Sequence, residues 1–240
     1  MLSKNSNQNT RVIKPTNLQY SNQNKTDSDF SAFKEFFEIS QKAIEFNKNL
    51  VWDPTIKNVY LATTISDLVE IYKLRSKIYN KMGYSVEYPD TIDGLSFDIL
   101  DTHSAILYTK KDNKITGTCR LIFDIENKLP IDNIFKVDFL RDNQKKLVEL
   151  SKLVIDNQNK TLSQEPRLLV KGTYKIMQLN GKNMLVSLMI KEHYRYYKKF
   201  GGFKLNGEIK NLGKIDKTFS FVTWDILEVS DYFKKLFLNN

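Results

Sequence analysis

Phe33, Phe36, Phe37, Ile39, Ile44 and Phe46 recur mostly at three- and four-residue spacing, which predicts an amphipathic helix over residues 30–47. Residues 1–29 are dominated by Asn, Gln, Ser, Lys and Thr, bury too little apolar surface to offset the entropy of ordering, and are expected to form a disordered tail. After the turn signal Trp52-Asp-Pro54, residues 59–62 read as a short strand. A helix follows over about residues 67–81, with Leu68, Ile71, Tyr72, Arg75, Ile78 and Tyr79 on or beside one face, Ser66 as N-cap and Gly83 at its end. Residues 84–102 mix Pro89, Gly94 and several aspartates with isolated aromatics, the pattern of an ordered loop with short turns. Long ordered loops inside domains are usually functional.

Residues 104–108 and 115–123 alternate as a hairpin around a polar turn, and a third strand runs over 147–155. Residues 129–143 read as turns and a short helix, 156–163 as a polar loop, and 165–179 as a helix. The run 184–189 is apolar throughout, as a strand covered on both faces would be. A basic aromatic helix over 190–200, strands at 203–205 and 218–225, and a closing helix at 229–238 complete the order. The fold class is α/β (α+β): a mixed sheet with helices on both faces. The chain divides into the tail 1–29, a helical extension 30–50 and one domain over 51–240. The extension either straps across the domain or meets a membrane surface or a partner.

A chain of 240 residues, 41% hydrophobic, can bury a full core, and the length favours one large domain. A net charge of +9 suits any anionic partner, but the basic residues are spread along the chain, so plain compositional bias explains them equally well. No aromatic-basic motif adds nucleic-acid binding to that charge. Cys119 is the only cysteine, which excludes an internal disulfide framework and a thiolate metal site, and His103 and His193 stand too far apart in the chain to suggest a metal. The start lacks a secretion signal and the longest apolar run is far short of a membrane span, so a cytoplasmic protein is expected.

Chemistry enters with Glu149-Leu-Ser-Lys152 and with His193-Tyr-Arg-Tyr-Tyr-Lys-Lys-Phe-Gly-Gly-Phe203. The element order and the Tyr196–Phe203 stretch resemble the GNAT superfamily of N-acetyltransferases, whose last helix carries a Tyr a few residues before Gly-Phe. Three stretches resemble one branch of it, the N-acyl amino acid synthases and the related acyl-homoserine-lactone synthases. One is Phe97-Asp-Ile-Leu-Asp-Thr-His103 followed by Gly117-Thr-Cys-Arg-Leu121. Another is Glu149-Leu-Ser-Lys152, similar to a Glu-x-Ser-Arg pattern. The last is His193-x-x-Tyr196-Tyr197 with the glycine pair. Together they cover roughly residues 59–226.

Two departures stand out. Lys152 occupies a position where this branch commonly has Arg, which exchanges a two-pronged fork for a point charge. The Gly-rich loop that would hold a pyrophosphate is absent, and Asp156-Asn-Gln-Asn-Lys160 stands in its place. The resemblance therefore implies acyl carrier protein, rather than coenzyme A, as donor and partner, with no further cofactor.

What the resemblance implies is an N-acyltransferase that moves a long-chain acyl group to the amine of an amino acid. Aminolysis of a thioester needs a base, an oxyanion site and a proton for the thiolate. Glu149 is the candidate base, since a carboxylate in an apolar strand gains little without a partner or a task, and a salt bridge to Lys152 or Arg120 is its structural alternative. Tyr197 is the candidate acid. Arg75 and Arg120, with Asp98 and His103, are candidates for the acceptor site, or the arginines pair with Asp98 or Asp101. Ser151, Lys152, Leu153 and Val154 are assigned to the donor and the oxyanion, where the sheet is expected to splay. Lys160, Arg167, Lys171 and Lys175 offer a basic docking surface to an acidic carrier, or a solvated helix face. Cys119 reads as a small core residue. Two other functions stay open: a homoserine-lactone synthase, which the position of both tryptophans (52 and 224) disfavours, and a non-catalytic acyl- or carrier-binding module.

Overall fold

The computed structural model describes residues 25–92, 94–126, 128–156 and 164–238. Most of the expected tail, and Lys160, lie outside them. α1 spans Lys25–Asn49, α2 spans Ile65–Met82 and α3, little more than one turn, spans Asp138–Asp142. Thr64, rather than Ser66, is the N-cap of α2: its Oγ1 accepts from the Asp67 N–H at 3.1 Å and donates to the Asp67 carboxylate at 2.8 Å. The hydroxyl thereby satisfies one of the free N–H groups of the first turn, and the carboxylate in turn fixes the hydroxyl. Gly83 ends the helix at φ 71°, a left-handed state that other residues enter at a cost.

Among the described residues seven strands form one sheet in the order β1-β2-β3-β4-β5-β7-β6. They are β1 Val59–Leu61, β2 Ser104–Lys111, β3 Lys114–Phe123, β4 Leu147–Ile155, β5 Met184–Ile190, β6 Phe203–Leu212 and β7 Ile215–Asp225. Only β4 and β5 pair in parallel. Side chains alternate between two cores: Ala105 and Leu107 face α4 (Glu165–Leu179), whereas Ile106 and Tyr108 face α1 and α2. This two-sided burial is why β2, β3 and β5 read as nearly continuous apolar runs.

α1 lies on the α2 side as a strap. Ile39, Ala43 and Ile44 are buried, and Phe36 meets Tyr72 and Phe97 edge to face. The buried Asn47 amide fastens it, donating to Ser104 O at 2.9 Å and accepting from the Ile106 N–H at 3.0 Å. Phe33 and Phe37, which the periodicity puts in the apolar stripe, are exposed together with Phe30. Among the described residues no helix is long and apolar enough to cross a membrane.

Three expectations need correction. The helix over 190–200 is instead a 3₁₀ turn at Lys191–His193, a single α-turn (α5, Tyr194–Tyr197) and a 3₁₀ turn at Lys198–Phe200. Phe200, at the end of the second 3₁₀ turn, packs on Phe233, and Phe203, the first residue of β6, stacks on Trp224. The strands expected at 203–205 and 218–225 are the ends of a longer hairpin, hidden because β6 is an exposed edge with polar side chains on both faces. The closing helix is one α-turn, Asp231–Phe233, and a wide π-turn, Lys234–Leu238.

Candidate active site

Between β4 and β5 the ladder covers only Leu147–Glu149 against Met184–Val186, although both strands continue. The sheet therefore opens beyond Glu149, around the Leu153 and Val154 positions where splaying is expected. A β-bulge accompanies the opening: Thr118 pairs with Val154 and Arg120 with Ser151, so Lys152 and Leu153 together oppose Cys119. Lys152 sits at φ 48°, left-handed for a residue with a side chain. Bulges bend their strand and re-aim side chains, and the strain at Lys152 is the cost of this bend. At the apex, the Ser187 hydroxyl donates to Leu150 O at 3.0 Å, replacing a ladder bond that the backbones no longer make.

The two faces of the opening differ in chemistry. On the α4 face lies an apolar cleft walled by Leu150, Leu153, Val170, Met189, Tyr197 and Phe203, with Cys119 and Trp224 beneath. Burial pushes the Tyr197 hydroxyl up to about 12 and the Cys119 thiol up to about 12. Tyr197 is thus a wall of the cleft, on the opposite face of β4 from Glu149, and a weak proton donor.

The α2 face is polar. The Glu149 carboxylate is buried and accepts from the Ile131 N–H at 2.8 Å. Burial pushes it up to about 7, against the pull of that hydrogen bond and of Arg120. The salt bridges considered for it go elsewhere. Arg120 donates from Nε to Ser151 Oγ at 2.9 Å and from NH1 to Asp98 and Asp101, while Lys152 Nζ lies 2.9 Å from Asp98. Arg75 NH1 reaches both oxygens of Asp101, at 3.0 and 3.1 Å, with both side chains fully buried. Among the described residues its Nε and NH2 have no hydrogen-bond partner.

Three cations and two anions therefore share one buried cluster. Burial works to raise the Asp98 pKa, but Arg120 and Lys152 outweigh it and hold the carboxyl well below its usual range. Lys152 moves the other way: burial, reinforced by Arg75 and then Arg120, drives it down to about 8 despite Asp98. The two directions agree once the cluster is counted as a whole, because it carries one positive charge too many and its lysine is the cation that releases a proton most readily. His103 is half-buried beside Thr102 Oγ1 (3.2 Å), and burial, then Arg120, lowers its pKa, which favours the neutral ring.

The structure thus gathers Arg75, Asp98, Arg120, Ser151 and Lys152 into one network, with Glu149 on the same face and His103 within its electrostatic reach. The basic face of α4 is divided. Arg167 is exposed near Tyr196, whereas Lys171 and Lys175 act on Asp53, whose carboxyl is held low first by Thr55 and further by these lysines. The Ile131 N–H, which holds Glu149, and Ser187, which holds Leu150 O at the opening, are parts of this site that the sequence does not announce. No residue pattern announces a backbone donor aimed across 18 positions, or a serine inside an apolar strand that caps a neighbouring carbonyl.

The comparisons with known proteins fit this geometry. The family model described as N-acyl amino acid synthase FeeM matches residues 70–223. No curated protein sequence matches the chain. The structure of FeeM, an N-acyl amino acid synthase from uncultured soil microbes, is similar with a TM-score of 0.57 at 16% identity, covering 75% of this chain and 93% of that one. The acyl-homoserine-lactone synthase LasI gives a TM-score of 0.58 at 14% identity over 76% of this chain and 94% of its own. MesI, a CoA-dependent acyl-homoserine-lactone synthase, gives 0.55 at 17% identity over 74% and 92%. At these identities the structural likeness speaks for the fold, and the family match speaks for the branch. Since that match runs from α2 through the opened strands to β7, the chain belongs to the family described as N-acyl amino acid synthase FeeM.

Proposed function

We propose that this protein transfers a long-chain acyl group from an acyl carrier protein to the amine of an amino acid, giving an N-acyl amino acid. The observation that carries the reading is Glu149: a buried carboxylate on the last paired residue before the sheet opens, held by one backbone N–H and pushed up to about 7. A general base works best when its pKa lies near the operating pH. The acyl chain lies along the apolar cleft on the α4 face, and the thioester carbonyl stands in the opening. The amine approaches from the face of Glu149.

The amine nitrogen attacks the thioester carbon while Glu149 takes its proton. The tetrahedral oxyanion is held by donors around the bulge, Lys152 among them. The C–S bond then breaks and the thiolate takes up a proton, leaving an amide and a free thiol. Tyr197 confines the donor arm and supplies little of that proton, because its hydroxyl is too weak an acid. Arg120, oriented by Asp98, Asp101 and Ser151, provides the positive field for the acceptor carboxylate, and exposed Arg167 the start of a carrier-docking surface.

The homoserine-lactone alternative is disfavoured by Trp52 and Trp224, which both pack in the core beside α4, away from Glu149. The test is the intact mass of lipid-extractable products from purified protein given acyl-loaded carrier proteins, all twenty amino acids and S-adenosylmethionine. An acyl amino acid mass establishes the reaction and names both substrates. A lactone mass promotes the alternative, and no product with carrier retained supports a binding module.

A further inference from the structure

The two halves of the sheet part beyond Glu149 and Val186, yet they are joined again at a second place. The turn after α2 belongs to the half built on β3 and β4: Tyr84 and Tyr88 pack on the core that holds Ile115 and Val154, and the Tyr88 ring lies 4.9 Å from that of Tyr79. From this turn Glu87 reaches the other half. Its Oε2 accepts from the backbone N–H of Lys214 at 3.1 Å, in the tip that joins β6 to β7. Gly213 makes the approach possible, because a Cβ there would fall 1.9 Å from that oxygen, and its φ of 56° is one that side chains resist.

Turn and tip thus bridge the opening on the face that carries Glu149. Tyr88, next in the chain, is near enough to Glu149 and Arg120 for their charges to act on its hydroxyl. Beside the bridge lies an open pocket of about 370 Å³ lined by Tyr84, Glu87, Lys214, Asp216 and Lys217. The apolar cleft for the acyl chain is on the opposite face, so the bridge does not touch it.

We propose that this bridge is the gate on the acceptor's route to Glu149: the amine enters beside Glu87 and Lys214, and the parting of their contact sets how bulky an acceptor passes. The inference rests on the acyltransferase reading above and deepens it on the acceptor side. A single hydrogen bond at a solvent-facing turn opens at small cost, which suits a gate and not a pillar. Lys214 and Lys217 are exposed at the pocket beside Glu87 and Asp216, so its rim carries both signs of charge, and the two lysines are the groups there that an acceptor's carboxylate can meet.

The experiment uses the full chain, an acyl-loaded carrier protein as donor, and glycine and tyrosine as small and bulky acceptors. Two variants open the gate by different means: Glu87→Ala removes the acceptor of the hydrogen bond, and Gly213→Ala displaces the carboxylate. Both are expected to lower KM for tyrosine relative to glycine by about two- to tenfold, the change that one hydrogen bond accounts for, with carrier Kd unchanged. Lys214→Ala with Lys217→Ala is expected to raise KM for tyrosine but not for tyrosine amide. Unaltered selectivity in both gate variants, or a loss of carrier affinity that accounts for the change, overturns the gate while leaving the acyltransferase reading intact. Absence of any amide from the unmodified protein overturns that reading and the gate with it.

Discussion

Glu149 stands three residues before Lys152 on β4, the first ahead of the bend and the second within it, and burial drives both toward neutrality: the acid rises to about 7 and the base falls to about 8. Neither is the other's partner. Glu149 is held by the Ile131 N–H, and Lys152 by Asp98. Glu149 therefore titrates apart from Lys152, whereas Lys152 titrates together with Asp98, Asp101 and the two arginines around it.

Glu149→Gln keeps the shape and the hydrogen bond from Ile131 but removes the base. Turnover should fall by about 10²- to 10⁴-fold with carrier affinity retained, measured by steady-state kinetics and carrier titration. Stability should move the other way. The folded pKa of Glu149 is raised, so its contribution is complete below the unfolded value near 4.5 and is lost as pH rises through about 7. Above pH 7 the Gln variant should melt higher than the unmodified protein, and the gap should close at pH 5; an equal gap at both values would refute the assignment.

Activity should rise with pH through about 7 as Glu149 ionises, and fall above about 8 as Lys152 loses the charge that braces Asp98 and faces the oxyanion. Lys152→Arg keeps the charge at every accessible pH, so the acidic limb of kcat/KM should stay and the alkaline limb should vanish. In stability the sign is that of a lowered base: the contribution of Lys152 is present above its unfolded value of 10.5 and lost as pH falls through about 8. A pH–rate profile of both proteins with one donor and one acceptor decides this.

Asp101 is the most deeply committed acid, fully buried between Arg75 and Arg120. Asp101→Asn leaves two buried guanidinium groups short of their counter-charge and should cost about 3–5 kcal/mol in urea unfolding. Asp98→Asn, at a carboxylate that is partly exposed, should cost less than half of that while impairing activity as much. Equal losses of stability would show that the network is not graded by depth.

Much of this was legible in the sequence, and the reasons are local. β4 and α4 have the boundaries that their apolar patterns predict, because each buries a continuous face and so prints its period on the chain. Arg75, Asp98 and Arg120 are legible as one acceptor group, with Asp101 as an alternative pairing partner, whereas Lys152 reads with the donor residues and only the fold brings it to Asp98. What stayed hidden depends on contacts between distant segments. The left-handed backbone at Lys152 follows no turn signal, the outer length of the β6–β7 hairpin buries too little for alternation to show, and the contact of Glu87 with Lys214 lies 127 positions apart. The broken helix at 191–200 was misread for another reason. Aromatic residues at three-residue spacing satisfy a helical template in sequence, whereas in the fold Phe200 and Phe203 reach Phe233 and Trp224 from a 3₁₀ turn and from the start of β6.

The apolar cleft makes a prediction about the donor that is independent of the charged face. Val170 projects from α4 into the cleft and is only partly buried, so a larger side chain there fills space in front of Leu169 and Thr173 without opening the core. Val170→Phe should cost about 1–3 kcal/mol of stability through overpacking. It should also shift acyl preference toward shorter chains, because each methylene the cleft no longer covers forfeits about 0.8 kcal/mol of burial. Competition among carriers loaded with octanoyl to hexadecanoyl groups, read as product masses, checks this, and a shift with no change in acceptor KM places the acyl chain on the α4 face. An unchanged chain-length profile would instead put the chain on the face of Glu149, where its charged neighbours would have to lose water for each methylene added.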